Sequence, residues 1–180
     1  MADAPSAAGE WNFADVWEAV ARVHPARAAH VHGDAVLTWG AFDQRANGLA
    51  EWLLRSGSAH QDKVALYLYN GPEYLLAVHA CLKVSRVPVN TNYRYQRDEL
   101  RALWDNADAT VVVFDAAFTE TVEEIRDRQA EHKETQDTVR SGDNAEDPYV
   151  RHTRPLVARQ SWYGTAIYIA AFEGMKAAGT

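Results

Sequence analysis

The sequence predicts an α/β fold with a partial parallel sheet, on the strength of three short apolar runs near residues 64, 87 and 110, each followed by a helix-forming segment. That alternation produces right-handed crossovers and parallel strands, because a strand that feeds a helix packs back onto the same sheet. A third observation marks where the fold stops. From Gln129 to Pro148 the larger apolar residues vanish, Val139 apart. The chain is therefore read as a flexible N-terminus over 1–12, an α/β part with flanking helices over 13–128, and a disordered or irregular tail over 129–180.

Phe13, Val16, Trp17, Val20 and Val23 recur at three and four, the period of an amphipathic helix, and Pro25 ends it. Ala29 to Thr38 reads as two short strands around His32-Gly33-Asp34, a turn that tolerates positive φ. Thr38 can cap the next helix, whose stripe is Phe42, Ala46, Leu49, Ala50, Leu53 and Leu54, with Gly57 as its stop. Val64 to Tyr69 has few polar interruptions and suits a strand covered on both faces. Asn70-Gly71-Pro72 breaks it, and Pro72 opens a largely buried helix to Lys83, since the first turn needs no N–H there.

Arg86 to Asn90 is the second strand, and Gln96 to Ala107 is a helix with Asp98 and Glu99 at its positive end. Thr110 to Phe114 is the third strand, and a helix from Ala116 to Arg128 closes the series. In the tail, Trp162, Tyr163, Ile167, Tyr168, Ile169, Phe172 and Met175 stand at loosely helical spacing, so a short helix is expected after the polar linker.

A length of 180 residues suits one domain, and 47% hydrophobic with 24% charged residues is the composition of a globular protein. The net charge of −7 argues against nucleic acid, whose binding draws on clustered Lys and Arg. Cys81 is the one cysteine and reads as a small buried hydrophobe in a reducing compartment. The N-terminus lacks the basic start and apolar core of a secretory signal, and no run reaches the ~20 apolar residues that cross a bilayer, so a cytoplasmic protein is expected.

Three stretches carry a resemblance to the adenylate-forming superfamily. Leu37-Thr38-Trp39 leads into a helix with Asn47 and Leu49-Ala50. Asp62-Lys63-Val64 opens a strand that ends in Asn70-Gly71-Pro72-Glu73. Pro88-Val89-Asn90-Thr91-Asn92-Tyr93-Arg94-Tyr95 is followed by Asp98-Glu99-Leu100. Together they resemble the start of the AMP-forming acyl-CoA synthetases, nearest to bacterial fatty-acyl and steroid-acyl-CoA synthetases, over about Phe13 to Arg128. Two positions depart from that pattern. Gln61 and Ser85 stand where the relatives usually have Gly, and at Ser85 the departure points to a lost close approach of backbone.

The resemblance implies ATP, Mg and CoA as cofactors of an intact synthetase and the conversion of a carboxylate to acyl-CoA with release of AMP and diphosphate. Such enzymes hold phosphate with a run of the form Thr-Ser-Gly-Thr-Thr-Gly-x-Pro-Lys-Gly, whose donors aim at the oxygens. These 180 residues contain no such run. Inactivity of the chain alone is therefore expected, with no catalytic, cofactor-binding or metal residue assigned and no cofactor expected for it. The alternative expectation is a non-catalytic binding or regulatory module that associates with a full-length synthetase or another subunit.

His24, His30, His32, His60, His79, His132 and His152 show no ligand spacing, and neither Ser161 nor Cys81 has a nucleophile's setting. Tyr93, Arg94 and Tyr95 are candidates for contact with a neighbouring domain or subunit, because they follow a strand end where α/β folds place ligands. In the tail, Arg159 to Thr165 read one frame over permits an Ala-Val-Met-like run. The segment beyond 129 is thus either family coding sequence out of frame or the end of a short form or gene remnant.

Overall fold

The computed structural model describes residues 12–126, 158–162 and 165–171. The chain divides into two compact units, one made of residues up to 61 with 70–88, the other of 62–69 with 89 onward.

The first unit is helical. Helix α1 (Phe13–Val23) starts at Asn12, whose side chain accepts the Ala14 N–H while its own N–H donates to Asp15 Oδ2 at 2.9 Å. This reciprocal box satisfies donors that the first turn leaves free. Only part of the stripe read from the sequence faces inward: Trp17 packs against Phe42 and His79 and Val20 is half-buried, with Ala14 and Ala21 buried, whereas Phe13 is 71% exposed and Val16 and Val23 are exposed.

Strands β1 (Ala28–His32) and β2 (Ala35–Thr38) form an antiparallel hairpin that pairs His32 with Ala35 across Gly33, at φ +59°. Helix α2 (Trp39–Arg55) follows directly, with Thr38 Oγ1 accepting the Ala41 N–H at 3.3 Å. Phe42, Ala46, Leu49, Ala50 and Leu53 are buried as the stripe requires, but Leu54 is exposed, one step past it. Gly40 has a packing reason, since a Cβ there would lie 3.2 Å from the Pro25 Cβ and carbonyl oxygen. Helix α3 (Pro72–Lys83) buries Leu76, Ala77, His79, Ala80 and Cys81, which lie on several sides of the helix.

Gln61 and Ser85, the two departures from family glycines, both adopt left-handed backbone, at φ 65° and 54°, and the Gln61 N–H donates to the Ser85 carbonyl at 2.8 Å. The glycine preference at Ser85 is thus explained by backbone sign rather than by the crowding expected from the sequence, since a Cβ is disfavoured in that region. Nearby, Arg86 is buried and donates to Ser58 Oγ at 2.9 Å, to the Ser58 carbonyl and to the Val84 carbonyl at 2.6 Å.

The second unit is a sheet. Its order is β4 (Val87–Asn90), β3 (Lys63–Tyr67), β5 (Ala109–Asp115), β7 (Thr165–Ala171) and β6 (Ala158–Trp162). The first three are parallel, with Val64 opposite Val111 and Leu66 opposite Val113. Helix α4 (Arg97–Asn106) packs on β5, and Leu100, Trp104, Ala109, Val112, Phe114, Val122 and Ile125 close a core with Ala65 and Tyr67. Trp104 is fully buried and its indole N–H donates to Thr91 Oγ1 at 3.2 Å. The segment expected as helix from Ala116 begins as a 3-10 turn (Ala116–Phe118) and is helical over 119–126.

The short helix expected over 161–178 is a correction. Residues 158–162 and 165–171 are strands, β7 pairing antiparallel with β5 in a register that sets the Tyr168 backbone beside that of Phe114, and β6 pairing with β7. Thr165, Ile167, Tyr168 and Ile169 are β-branched or aromatic, and the free edge of β5 offers a ladder that outweighs a loose helical period. The polar stretch 129–148 and residues 1–11 lie outside the described residues.

Candidate functional site at the strand ends

Tyr93, Arg94 and Tyr95, singled out by position in the sequence, join an aromatic platform in the sheet unit. The chain leaves β3 at Tyr69, β4 at Tyr93 and β5 at Phe118, so three parallel strands deliver rings to one end of the sheet. Tyr69 lies 5.2 Å from Tyr93 and 4.9 Å from Phe118 between ring centroids, and Phe118 stacks on Tyr67 at 4.1 Å. The Arg94 guanidinium sits 5.5 Å from the Tyr93 ring centre, within cation–π range. The Tyr67 hydroxyl donates to the Tyr95 carbonyl at 3.4 Å, and burial, with Tyr69 adding to it, raises that phenol above its usual value. Tyr69 is 47% and Tyr95 37% exposed, which leaves one side of the platform open to contact.

The strand-to-helix turns do not fit a phosphate group. Such turns bind anions when helix N–H groups and glycine backbone point at the ligand. After β3, Pro72 removes an N–H from the first turn of α3 and Glu73 puts a carboxylate there. After β4, the first turn of α4 carries Asp98 and Glu99, and Glu99 accepts the Gln96 N–H at 2.8 Å. After β5, Asp115 caps the turn by accepting the Ala117 N–H at 2.9 Å. Glu99 and Asp115 thus accept N–H groups at their turns, and Glu73 adds a carboxylate to the first turn of α3 without capping it.

A second polar assembly, absent from the sequence expectations, lies in the helical unit. A cleft of about 380 Å³ is lined by Glu18, Arg22, Asp43, Asn47 and Lys83, among others. Lys83, only 7% exposed in its side chain, pairs with Glu18 and with Asp43 Oδ1 at 2.8 Å. His79 Nε2 lies 3.1 Å from the same Asp43 oxygen. Burial raises the Asp43 carboxyl, but hydrogen bonds from Lys83 and His79 and their charges outweigh it and hold it below the usual value. Burial lowers His79 more than Asp43 raises it, so the imidazole is neutral at neutral pH.

Of the other flagged residues, Cys81 is buried and its thiol is pushed up to about 12 by burial, with Arg86 pulling the other way. That is an inert thiol. His30 is half-buried against Phe42 at 4.6 Å, with burial lowering its pKa, while His24, His32 and His60 are exposed. Among the described residues no group of three His, Cys, Asp or Glu is placed to hold a metal, and no helix is long and apolar enough to cross a membrane. His132 and His152 lie outside the described residues, as does the side chain of Ser161.

Comparison with known proteins sets this geometry in a class. The AMP-binding enzyme profile matches residues 17–162, past the Arg128 limit expected from the sequence. A medium/long-chain-fatty-acid–CoA/3-oxocholest-4-en-26-oate–CoA ligase of Mycobacterium tuberculosis is 35% identical over 114 residues, covering 63% of this chain and 21% of the relative. The 3-oxocholest-4-en-26-oate–CoA ligase of Rhodococcus rhodochrous is 31% identical over 114 residues, covering 63% and 20%. Among solved structures, the N-terminal domain of FACL13 from M. tuberculosis superposes with TM-score 0.60 at 26% identity, over 64% of this chain and 29% of that one.

The two curated relatives are named as acid–CoA ligases. The chain belongs to the AMP-binding enzyme family and spans about a fifth of the length of the curated relatives it matches.

Proposed function

We propose that this chain supplies the N-terminal scaffold of an acid–CoA ligase and that the 180 residues do not adenylate by themselves. The reaction served is carboxylate plus ATP plus CoA to acyl-CoA, AMP and diphosphate, with a fatty or steroid side-chain acid as substrate class, as the names of the relatives suggest. The observation that carries the reading is the set of strand-to-helix turns, where Glu73, Asp98, Glu99 and Asp115 stand where phosphate would need donors. ATP, Mg and CoA would then be held by residues outside this segment. Purified chain incubated with ATP, Mg²⁺, CoA and fatty acids is expected to release no AMP; turnover at the rate of a ligase overturns the reading.

A second reading makes the chain a non-catalytic module that docks on a synthetase through the platform. The open faces of Tyr69 and Tyr95 favour it. Co-purification of a synthetase from cell extract, lost in Tyr69→Ser/Arg94→Glu, supports that reading, and recovery of no synthetase counts against it. Either role suits the cytoplasm, where the single buried thiol of Cys81 stays reduced.

A further inference from the structure

We propose that His79 is an acid-operated latch on the helical unit, whose protonation at Nδ1 releases α3 from α1 and α2 in mildly acidic solution. The imidazole touches all three helices. It stacks on Phe42 of α2 at 5.1 Å and 10°, meets Trp17 of α1 edge-on at 5.1 Å, and reaches Asp43 through Nε2. With a carboxylate as its neighbour, Nε2 carries the proton and Nδ1 keeps the lone pair. His79 is 0% exposed and Nδ1 has no hydrogen-bond partner.

A second proton would place an N–H donor and a charge in an aromatic box without an acceptor. A buried donor left unmatched is costly, and the three-helix contact is where that cost falls. The charged groups around the ring divide. Asp43 on α2 and Glu18 on α1 favour protonation, but Asp43 is already shared with Lys83 at 2.8 Å and Glu18 also pairs with Lys83. Lys83 on α3 opposes it, Arg22 adds a cation at the cleft, and His30 on β1 approaches the far side of Phe42.

The direction follows from linkage. A histidine whose folded value lies below its unfolded value of about 6.5 contributes stability that is complete above that pH and lost as pH falls toward the folded value. Within the window the opening constant grows about tenfold per pH unit, one proton being taken up on opening.

Hydrogen exchange of the full 180-residue chain between pH 8 and 5, corrected for intrinsic rates, reads this directly. Amides in 13–23, 39–55 and 72–83 are expected to show the tenfold-per-unit rise below about 6.5, and amides in 109–115 to stay flat. His79→Phe fills the same slot without titrating and should remove the larger part of the slope, leaving what His30 contributes. His79→Gln keeps an N–H for Asp43 and should do the same, which covers a failure of the first variant to fold. His30→Phe removes a second imidazole lowered by burial and should leave the larger part of the slope in place. A flat wild-type profile, a slope whose larger part survives both His79 variants, or one that disappears with His30→Phe overturns the proposal.

Discussion

The helical unit and the sheet unit solve the problem of a small core in opposite ways. In the helical unit the interior holds groups that water would claim: His79, Arg86 and Ser58 are buried, and Lys83 is almost so. In the sheet unit Thr91 is buried and is matched to the Trp104 indole. A buried charge with its partners in place is tolerated, while the same charge with a partner removed is strongly destabilising. The two units should therefore differ less in how stable they are than in how that stability responds to pH and to the loss of one polar atom.

Trp104→Ala should have the largest effect, about 3–5 kcal/mol, as expected for emptying a fully buried indole site. Thermal melts at pH 7.5 and 5.5 should show the same loss at both; a loss that depends on pH would show that the sheet unit also carries a titrating element. Asp43→Asn should cost about 1–3 kcal/mol at pH 7, because Lys83 and His79 lose a charged acceptor. The folded carboxyl lies below its unfolded value, so its contribution is present above about pH 4 and lost as pH falls through the folded value. The acid limb of the urea-unfolding profile should flatten in this variant.

Thr38→Ala should cost about 1 kcal/mol through the lost α2 cap, read from the urea midpoint. The smallest effect has the opposite sign. Ser85→Gly should stabilise by about 0.5–1 kcal/mol, since Ser85 sits at φ 54°. A destabilised glycine variant would mean that the serine side chain earns its place by a contact rather than by tolerance.

The two units also differ in how far they could be read from sequence. Strands β3 and β5 were legible because a parallel strand buried on both faces leaves a continuous apolar run, and α2 because its cap, stripe and Gly57 stop agree. Helix α1 is legible in part: of its stripe Trp17 packs inward, while Phe13, Val16 and Val23 are exposed and packing instead buries Ala14 and Ala21 with Glu18 turned toward Lys83. The tail strands were missed because pairing with β5 is a long-range event with no local signature.

The platform was half legible, since position after β4 drew attention to Tyr93, Arg94 and Tyr95, while Tyr69 and Phe118 enter only through topology. The polar network was not legible at all, its members being drawn from positions 18, 43, 79 and 83. One signal was present: His79 and Lys83, four apart in the apolar body of α3, place two polar heads on one face.

The placement of Cys81 turns the sequence into its own gauge. It is the only thiol in 180 residues, fully covered and resistant to ionisation. An alkylating reagent can reach it only while α3 is uncovered, so the pace of labelling times that excursion with no engineered dye. A disulfide reagent added at rest should find almost nothing to modify, and whatever it does capture was momentarily open.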